Sequence, residues 1–285
     1  MTTQRILLTG QTGYMSQRLH DFLTREGYRV DQISLRSQNW HHHTFEHYDT
    51  VIHLAALVHN NQPDATMVDY MNVNYHLTRQ LAVKAKAEGV RHFIFFSTMA
   101  IYGKEGRLNQ SEEINQTTEA TPKTPYGISK YKAEQMLLKM HGDTFKVAIL
   151  RPPMIYGKNA PGNFSKLIKL AKFVPVYPKI DNQRSVLYIE TLEKYIKETI
   201  ETKAYGIFHP QNAEYMSTNA AIQEMRRVMG KSTYCVKVPR FILKSIAHIS
   251  IIQKIYGNLF YSQNIDGLQR KIEQDKIEIT FRKTL

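Results

Sequence analysis

The feature that constrains the fold most is an alternation of short apolar segments with helix-forming segments over residues 1–150. Helical periodicity predicts a helix that runs to Arg25, a helix over Asn72–Glu88 and a helix that begins near Tyr126. The segment between Leu35 and Thr50 is too short for a strand and a helix, so that crossover is expected to be abbreviated. Strands that alternate with helices pair in parallel, which predicts an α/β fold around a doubly wound parallel sheet. The predicted strands are Arg5–Thr9, Arg29–Leu35, Thr50–Ala55, Arg91–Ser97 and Phe145–Leu150.

A glycine-rich turn lies where the first predicted strand meets the first predicted helix. Glycines at this place allow a tight turn and let the backbone approach a pyrophosphate, which then lies at the positive end of the helix. The third glycine of the usual pattern is replaced by Ser16, which is still small. The turn therefore predicts a Rossmann-type dinucleotide site. Its predicted contact residues are Gly10, Thr12, Gly13, Tyr14 and Met15.

The end of the second predicted strand bears on the kind of dinucleotide. An acidic residue at this point binds the adenosine ribose hydroxyls in NAD sites. Here the strand ends with Ser34-Leu35-Arg36. A guanidinium cannot accept those hydrogen bonds but can bind a 2′-phosphate, so Arg36 favours NADP(H) over NAD(H). An arginine that contacts only solvent is the alternative interpretation.

Composition restricts the class of protein. The chain has 285 residues, of which 42% are hydrophobic and 22% charged, so a folded globular protein is expected. The single cysteine, Cys235, excludes an internal disulfide, suits a reducing cytoplasm and is expected to be a buried apolar residue. The run His41-His42-His43 lacks the carboxylates or cysteines of a metal site, so no metal is predicted.

The net charge of +13 points to an anionic partner. Basic residues are scattered among acidic ones and no nucleic-acid-binding motif is present, so nucleic acid is not predicted as a partner. An anionic nucleotide substrate and a negatively charged membrane surface both stay open as interpretations. No apolar run reaches the roughly 18 residues that a membrane span requires, and the N-terminus is not typical of a signal peptide.

The character of the sequence changes after residue 153. Residues 156–180 are basic and interrupted by glycine and proline, which is typical of loops and helices that close over a substrate. Residues 1–155 are therefore predicted to form the dinucleotide-binding domain, and residues 156–285 mainly a smaller C-terminal substrate-binding domain. Two later strand-like segments, Val186–Ile189 and Gly206–His209, are candidates to rejoin the first sheet.

One tyrosine–lysine pair has the spacing of a catalytic acid/base. Tyr126 and Lys130 are four residues apart in a predicted helix, so their side chains lie on one helix face. A neighbouring ammonium favours the phenolate and would lower the pKa of Tyr126 from its usual value near 10. Tyr126 is therefore a candidate for moving a proton to or from a sugar or alcohol hydroxyl.

Six motifs occur together over roughly residues 5 to 240. They are Gly10-x-x-Gly13-x-x-Ser16, His53-Leu-Ala-Ala56, Asn72-Val-Asn74, Ser97-Thr98-x-x-x-Tyr102-Gly103, Tyr126-x-x-x-Lys130 and Arg151-Pro-Pro-x-x-Tyr-Gly157. Their order and spacing resemble the extended short-chain dehydrogenases/reductases, the NAD-dependent epimerase/dehydratase family. Four segments further resemble the UDP-4-keto-6-deoxy-hexosamine reductases and UDP-sugar 4-epimerases of bacterial capsule and O-antigen synthesis. They are His53-Leu-Ala-Ala-Leu-Val-His59, Arg151-Pro-Pro-Met-Ile-Tyr-Gly157, Gly162-Asn-Phe164 and Asn182-Gln-Arg-Ser185.

The resemblance implies a role for each matched residue. Tyr126 matches the proton donor and acceptor, Lys130 the residue that holds the nicotinamide ribose, and Thr98 the hydroxyl that binds the reacting oxygen. The implied substrate contacts are Thr98, Asn163 and Arg184, with the Arg184 guanidinium on the diphosphate. Ser97 is expected to be structural, and His53 a hydrogen-bonded core residue. The further implied cofactor contacts are Leu54, Ala55, Ala56, Asn74, Pro153, Met154 and Ile155.

Three functions follow as hypotheses. The first is a 4-ketoreductase that reduces a UDP-4-keto-6-deoxy-N-acetylhexosamine for surface polysaccharide synthesis. Arg36 favours this hypothesis, because it indicates NADPH, which a reductase would exchange in each turnover. The second is a UDP-sugar 4-epimerase, which would use the same residues and retain its cofactor. The third is a non-catalytic dinucleotide sensor or scaffold, which the intact Thr98, Tyr126 and Lys130 disfavour. The resemblance also implies a cytoplasmic homodimer.

The segment Arg240–Tyr261 suggests one further contact. Such a mixture of apolar and basic residues can lie on an anionic membrane, or it can pack as a helix on the substrate domain or on a second subunit. A weak peripheral contact with the inner face of the cell membrane is therefore one hypothesis. The residues concerned are Phe241, Ile242, Leu243, Ile246, Ile249, Ile252 and Ile255, interleaved with Lys244 and Lys254.

Overall fold

The computed structural model describes residues 4–58, 64–108, 110–239, 241, 250–268 and 272–285. The chain divides into two compact units. The first unit contains Met1–Gly103, Ala120–Pro152 and Glu193–Pro210. The second unit contains Lys104–Glu119, Pro153–Leu192 and Gln211–Leu285.

The strands and helices follow one another along both units. The strands are β1 (Arg5–Thr9), β2 (Arg29–Ile33), β3 (Thr50–His53), β4 (His92–Phe96), β5 (Glu112–Ile114), β6 (Lys146–Leu150), β7 (Met154–Tyr156), β8 (Val176–Lys179), β9 (Val186–Tyr188), β10 (Gly206–Phe208), β11 (Tyr234–Lys237) and β12 (Leu259–Tyr261). The α-helices are α1 (Tyr14–Arg25), α2 (Met67–Met71), α3 (Leu77–Ala87), α4 (Pro125–Met140), α5 (Asn163–Phe173), α6 (Ile189–Glu201), α7 (Thr218–Val228), α8 (Ser250–Tyr256) and α9 (Ile277–Thr284). Short 3₁₀ helices lie at Gln38–His42 and Met99–Tyr102, and a π-helical turn lies at Asn72–His76.

The first unit is built on a six-stranded parallel sheet in the order β2-β1-β3-β4-β6-β10. Leu7, Val51, Phe93 and Val147 are neighbours across its four central strands, and each is at most 1% exposed. Central strands that are apolar on both faces are typical of a parallel sheet covered by helices. The predicted α/β fold with a doubly wound, Rossmann-type parallel sheet is confirmed.

The order of the strands reverses at β1, which pairs with β2 on one side and with β3 on the other. In open parallel sheets, ligands bind outside the carboxyl ends of the strands at such a reversal. The segments that leave β1 and β3 at this edge are the glycine turn from Gly10 and the chain from Leu54. The sheet therefore brings two of the predicted binding segments to one place.

The crossover from β2 to β3 is abbreviated, as predicted. It contains only the 3₁₀ helix Gln38–His42, which buries Trp40. Phe45 and Tyr48 are buried in the same core, and the Tyr48 hydroxyl donates a hydrogen bond to Asp31 Oδ2 at 2.9 Å. Three aromatic side chains therefore supply the apolar surface of this short connection.

Several predicted ends differ from the observed ones. The second strand ends at Ile33 instead of Leu35, and the third ends at His53 instead of Ala55. In the third strand the cause is Thr9, whose Oγ1 accepts hydrogen bonds from Leu54 N at 3.1 Å and Ala55 N at 3.2 Å. These two amides therefore leave the ladder. The predicted helix Asn72–Glu88 begins with the π-helical turn and continues as α3.

The second unit contains three two-stranded parallel pairs, β5 with β12, β7 with β9 and β8 with β11. Tyr156 lies in its core, where its ring stacks on Phe164 with the centroids 4.5 Å apart. The Tyr156 hydroxyl accepts a hydrogen bond from Asn212 Nδ2 at 2.8 Å and is 2.5 Å from Thr280 Oγ1. Of the two strands predicted late in the chain, β10 joins the large sheet and β9 pairs with β7.

Cys235 is exposed, so the expectation of a buried residue is wrong. The strand that carries it, β11, pairs only with β8, and all four of its residues are exposed. Gln223 Nε2 lies 3.1 Å from the Cys235 sulfur. A strand in a two-stranded pair has few neighbours to bury it, which the local sequence does not reveal.

The tail Arg240–Tyr261 is described only in part, because Arg240 and residues 242–249 lie outside the described residues, as does His59. Ile252 and Ile255 are packed against Leu108, Ile180 and Tyr256 in the second unit. These two isoleucines are therefore engaged in packing within that unit. Of the helices that the structure describes, none has the length and hydropathy needed to cross a bilayer.

Three histidines of the first unit are buried: His53 in β3, His92 in β4 and His209 after β10. Burial lowers the pKa of His53 and His209 to about 3 and the pKa of His92 to about 4. All three are therefore neutral in the folded protein near pH 7. A histidine in an unfolded chain titrates near 6.5, so the unfolded chain binds more protons between these values.

We expect the free energy of unfolding to fall as the pH drops below about 6.5, because protonation then favours the unfolded chain. Between its unfolded and its folded pKa, each such histidine lowers the free energy of unfolding by about 1.4 kcal/mol for every pH unit that the pH falls. His92 Nε2 lies 2.9 Å from the Ala204 carbonyl oxygen, and the amide of His92→Gln can keep this hydrogen bond. The variant should therefore reduce the dependence of the unfolding free energy on pH by the contribution of one histidine. Urea denaturation between about pH 7 and pH 5 measures the slopes. Equal slopes in both proteins would contradict the assignment to His92.

Candidate active site

The glycine turn after β1 packs against the segment that follows β3. Gly10 has a φ of 96°, a conformation that residues with side chains rarely adopt, and its amide donates a hydrogen bond to the Ile33 carbonyl at 2.9 Å. A Cβ on Gly10 would lie 3.7 Å from Ala55 N. Gly10 therefore lets β1 turn sharply within contact distance of the predicted cofactor segment Leu54–Ala56.

The turn leads to a helix end suited to an anion. α1 begins at Tyr14 and Met15, and the exposed Thr12 and Gly13 precede it. No side chain caps this end, and its first turn carries no acidic residue. The amides at a helix N-terminus carry partial positive charge and bind phosphate groups. Close-packed backbone and a positive helix end without a counter-charge fit a dinucleotide pyrophosphate.

The buried Thr9 hydroxyl links the turn to β3. Besides accepting two main-chain hydrogen bonds, Thr9 Oγ1 is 2.8 Å from His53 Nδ1, and His53 Nε2 is 2.8 Å from Thr78 Oγ1. Thr78 donates its own proton to the Asn74 carbonyl at 2.9 Å. Because that proton is used, His53 Nε2 must be the donor to Thr78, and Nδ1 accepts from Thr9. His53 is therefore a hydrogen-bonded core residue, as expected.

Asn74 lies in the π-helical turn and is fully buried. Its Nδ2 donates to the Leu57 carbonyl and to Ser129 Oγ, both at 3.0 Å, and its Oδ1 accepts from Leu57 N at 2.8 Å. Ser129 in turn donates to the Tyr126 carbonyl at 2.9 Å. Asn74 therefore joins the segment after β3 to α4, and its contact with a cofactor stays a prediction.

The residues around the predicted proton donor meet at the end of β4. Thr98 follows β4 and begins the 3₁₀ helix, where its Oγ1 accepts a hydrogen bond from Ala100 N at 3.1 Å. The Thr98 side chain also hydrogen-bonds with Tyr126. α4 can approach this closely because Gly127 has no side chain, and a Cβ there would be 2.9 Å from the Ala100 carbonyl oxygen. The structure thus brings Thr98 and Tyr126 together.

Tyr126 is partly buried in the first turn of α4, and its ring lies edge to face with Tyr70 at a centroid distance of 6.4 Å. Burial raises the pKa of Tyr126 to about 12, and the hydrogen bond with Thr98 opposes this change with a smaller effect. The pKa is therefore raised, not lowered as the tyrosine–lysine spacing predicted. The phenol keeps its proton near pH 7.

Lys130 explains this difference. It is 1% exposed, its Nζ donates a hydrogen bond to the Phe96 carbonyl at 2.7 Å, and it lies 4.5 Å from the centroid of the Phe95 ring. Burial lowers the pKa of Lys130 to about 7, and the nearby Glu134 carboxylate opposes this change. The amine is thus held by β4. A pKa near neutrality gives Lys130 access to both protonation states.

Sequence analysis missed a buried carboxylate on the same helix face. Glu134 follows Tyr126 and Lys130 at the same four-residue interval, and it is 0% exposed. Arg151 Nη2 and Nε donate to its two carboxylate oxygens at 2.6 and 3.1 Å, and Ser97 Oγ also donates to it. Ser97 is therefore structural, as expected. The repeated interval of four was the signal that could have identified Glu134.

Arg151 extends this network across the end of the sheet. Its Nη1 donates to the Tyr102 hydroxyl at 2.8 Å, and its guanidinium lies 5.3 Å from the centroid of the Tyr102 ring. The same hydroxyl is 2.7 Å from His209 Nε2. The ends of β4, β6 and β10 are therefore connected through one buried ion pair and its hydrogen bonds.

The other predicted contacts lie after β2 or in the second unit. Arg36 is exposed and lies three residues beyond the end of β2. Pro153, Met154 and Ile155 belong to the second unit, where the last two are part of β7. Their contacts with a cofactor stay predictions.

The predicted substrate contacts Asn163 and Arg184 also belong to the second unit. Asn163 is exposed at the first position of α5. Arg184 is partly buried, its Nη1 is 3.4 Å from the Ile255 carbonyl oxygen, and burial lowers its pKa. Within the described ranges, no group of three or more His, Cys, Asp or Glu side chains could hold a metal ion.

Glu134→Ala should lower the free energy of unfolding by about 3–5 kcal/mol, because it leaves the buried Arg151 guanidinium without its carboxylate. The control is Lys132→Ala, an exposed position of the same helix, which should change stability by less than about 0.5 kcal/mol. Urea denaturation of both variants measures the difference. Similar small effects in the two variants would show that the ion pair does not stabilise this part of the fold.

The chain matches a known protein family. The model of the NAD dependent epimerase/dehydratase family matches residues 6–193. UDP-glucose 4-epimerase of Vibrio cholerae is 27% identical and covers 89% of this chain and 86% of its own. The N-acetyl-alpha-D-glucosaminyl-diphospho-ditrans,octacis-undecaprenol 4-epimerase of Escherichia coli O157:H7 is also 27% identical, over 67% of this chain and 58% of its own.

The fold has a solved counterpart. UDP-glucuronic acid 4-epimerase from Bacillus cereus, in complex with NAD, superposes with a TM-score of 0.74 at 18% identity and covers 99% of this chain and 97% of its own. This likeness concerns the fold, and the matched family model covers more than half of the chain. The glycine turn, the Thr98–Tyr126 contact and the buried Lys130 therefore lie in an enzyme that belongs to the NAD-dependent epimerase/dehydratase family.

Proposed function

We propose that this enzyme is a UDP-sugar 4-epimerase. The observation that carries the proposal is the contact between Thr98 and Tyr126 on the helix that also holds Lys130, in the same unit as the glycine turn. This arrangement can move a proton at a sugar hydroxyl in a unit that fits a dinucleotide. The similarity to the Vibrio cholerae 4-epimerase over most of both chains supports reaction at C4.

The residues of the first unit that would hold a nicotinamide dinucleotide are those of the glycine turn and the chain after β3. Gly10 and Gly13 would admit its pyrophosphate at the start of α1, with Ala55 alongside. When bound, such a cofactor supplies an acceptor and a donor of hydride for a carbon that bears a hydroxyl.

Tyr126 would exchange the proton of the O4 hydroxyl. Its raised pKa keeps it as a phenol, which suits donation of a proton to a C4 carbonyl oxygen. In the opposite direction the phenolate must form, and the groups next to it that can stabilise negative charge are the Thr98 hydroxyl and the Lys130 ammonium. Thr98 already contacts the phenol.

Lys130 would supply positive charge in this step. Its pKa near 7 means that small changes in the surroundings decide whether the amine is protonated. Glu134 lies one turn away and favours the ammonium form. We therefore infer that the Glu134 carboxylate raises the share of Lys130 that carries a proton near pH 7.

We propose that the second unit binds the UDP-sugar. Arg184 carries a guanidinium in a partly buried position, and this group is suited to bidentate contact with a diphosphate. Asn163 offers an exposed amide at the start of α5 for a hydroxyl or phosphate oxygen.

The second candidate is a 4-ketoreductase acting on a UDP-4-keto-6-deoxy-N-acetylhexosamine. The observation that favours it is Arg36, which is exposed just beyond β2, where a 2′-phosphate would be recognised. Such an enzyme would bind NADPH and release NADP⁺ in each turnover. Tyr126, Thr98 and Lys130 would have the same roles in it.

Tyr126→Phe should lower kcat about a hundredfold to ten-thousandfold, because the group that exchanges the proton is removed. The matched control is Tyr131→Phe, a partly buried phenol on the same helix, which should keep nearly full activity. Steady-state kinetics of both variants measures the effect, with thermal denaturation to verify folding. A Tyr126→Phe variant as active as the control would exclude Tyr126 from the reaction.

An assay without added nicotinamide distinguishes the two candidates. The epimerase should interconvert UDP-glucose or UDP-N-acetylglucosamine with the corresponding C4 epimer, because the same hydride leaves and returns. Product identification by NMR measures this. If the protein forms no epimer, but consumes NADPH stoichiometrically with a UDP-4-keto-6-deoxy-N-acetylhexosamine, the reductase is the correct assignment.

A further inference from the structure

We propose that the second unit carries a docking surface for an anionic lipid bilayer. This basic apolar surface is formed by Lys169, Lys172 and Phe173 of α5, Val176 of β8, and Tyr234 and Val236 of β11. It differs from the tail considered above, of which Ile252 and Ile255 pack inside the unit.

The apolar side chains of this surface are unusually exposed. Phe173 is 74% exposed, Tyr234 62%, and Val176 and Val236 50% each. Tyr234 and Val176 are direct neighbours across the β8–β11 pair, and Val236 is two residues further along the same strand, hence on the same face. Grouped exposed apolar side chains mark interaction sites, whereas single ones are ordinary.

One buried arginine connects the segments that carry this surface. Arg226 of α7 is 5% exposed, and its Nη1 donates to the carbonyls of Ala171 at 2.6 Å and Val174 at 3.1 Å. Its Nε donates to the Ser232 carbonyl at 2.9 Å. Arg226 thus ties the end of α5 to the segments that enter β8 and β11, so the exposed side chains belong to a preformed surface.

The segments that carry these side chains have charge of one sign. Residues 163–180 and 229–240 contain no Asp or Glu, although they include several lysines. Lys179 and Lys237, which are neighbours across the strand pair, lie on the face opposite Tyr234 and Val236 and are not part of this surface. Lys172 Nζ also lies 5.7 Å from the Phe173 ring centroid, which combines charge and apolar surface in one place.

This combination fits a bilayer better than a second copy of the chain. In a symmetric dimer the same patch meets itself, so the lysines of both copies would be brought together with no carboxylate from residues 163–180 or 229–240 to pair with them. At a membrane, lysine stems lie along the apolar region while their ammonium groups reach lipid phosphates, and aromatic rings enter the interface. Each basic residue near an anionic leaflet adds to the attraction. The observations therefore favour a peripheral contact through this surface.

The test is flotation of the full-length protein with phosphatidylcholine vesicles that contain or lack phosphatidylglycerol. We expect the protein to float with the anionic vesicles only, and raised salt to weaken binding because it screens the lysines. The variant Lys169→Glu/Lys172→Glu should reduce the partition coefficient by at least about tenfold. Phe173→Ser/Tyr234→Ser should reduce it at unchanged net charge.

The matched control is Lys132→Glu/Lys139→Glu, which makes the same charge change at exposed positions of α4 in the first unit and should still float. Thermal denaturation of each variant verifies that it is folded. The proposal is overturned if the wild type does not float, or if the control loses as much binding as the α5 variant. It is also overturned if Phe173→Ser/Tyr234→Ser leaves flotation unchanged. A variant that still floats but has a lower oligomer mass in sedimentation would show that the surface binds a second copy of the chain instead. The test is independent of the reaction that the enzyme catalyses.

Discussion

The first unit depends on a continuous chain of buried hydrogen bonds that starts at the Thr9 hydroxyl. This group accepts two amides after β3 and donates to His53, which continues through Thr78 to Asn74. Asn74 reaches α4 through Ser129. The glycine turn and the helix with Tyr126 are thus fixed relative to each other by neutral groups. A chain of this kind works only if the central imidazole stays uncharged, which its burial ensures.

A second buried network has charged members and surrounds Lys130. Removing an amine from water is costly, and the structure offsets the cost with the Phe96 carbonyl, the Phe95 ring and the Glu134 carboxylate. Glu134 is in turn neutralised by Arg151. The result is an amine that can gain or lose its proton near pH 7, one helical turn from a phenol that keeps its own. The network that starts at Thr9 therefore positions the residues of the site, and the network around Lys130 sets their protonation states.

Local pattern was sufficient to predict the parallel sheet, its abbreviated crossover and the shared helix face of Tyr126 and Lys130. It could not predict the pKa of Tyr126, because the carbonyl that holds Lys130 comes from β4 and not from the helix. The early end of β3 has a similar cause, since the Thr9 hydroxyl that draws its amides away lies in β1. Cys235 was misjudged because the burial of a strand depends on how many strands flank it. The roles of Arg36, Asn163 and Arg184 stay predictions.

The order of strands also has a kinetic consequence. The pairs β1–β2, β1–β3, β3–β4 and β4–β6 all form between strands that are synthesised before residue 151. β10 pairs with β6 only after residues 151–205 have been made. During synthesis, β6 is therefore an unpaired sheet edge until Gly206–Phe208 emerges. That interval is when the nascent chain is most open to pairing with another chain.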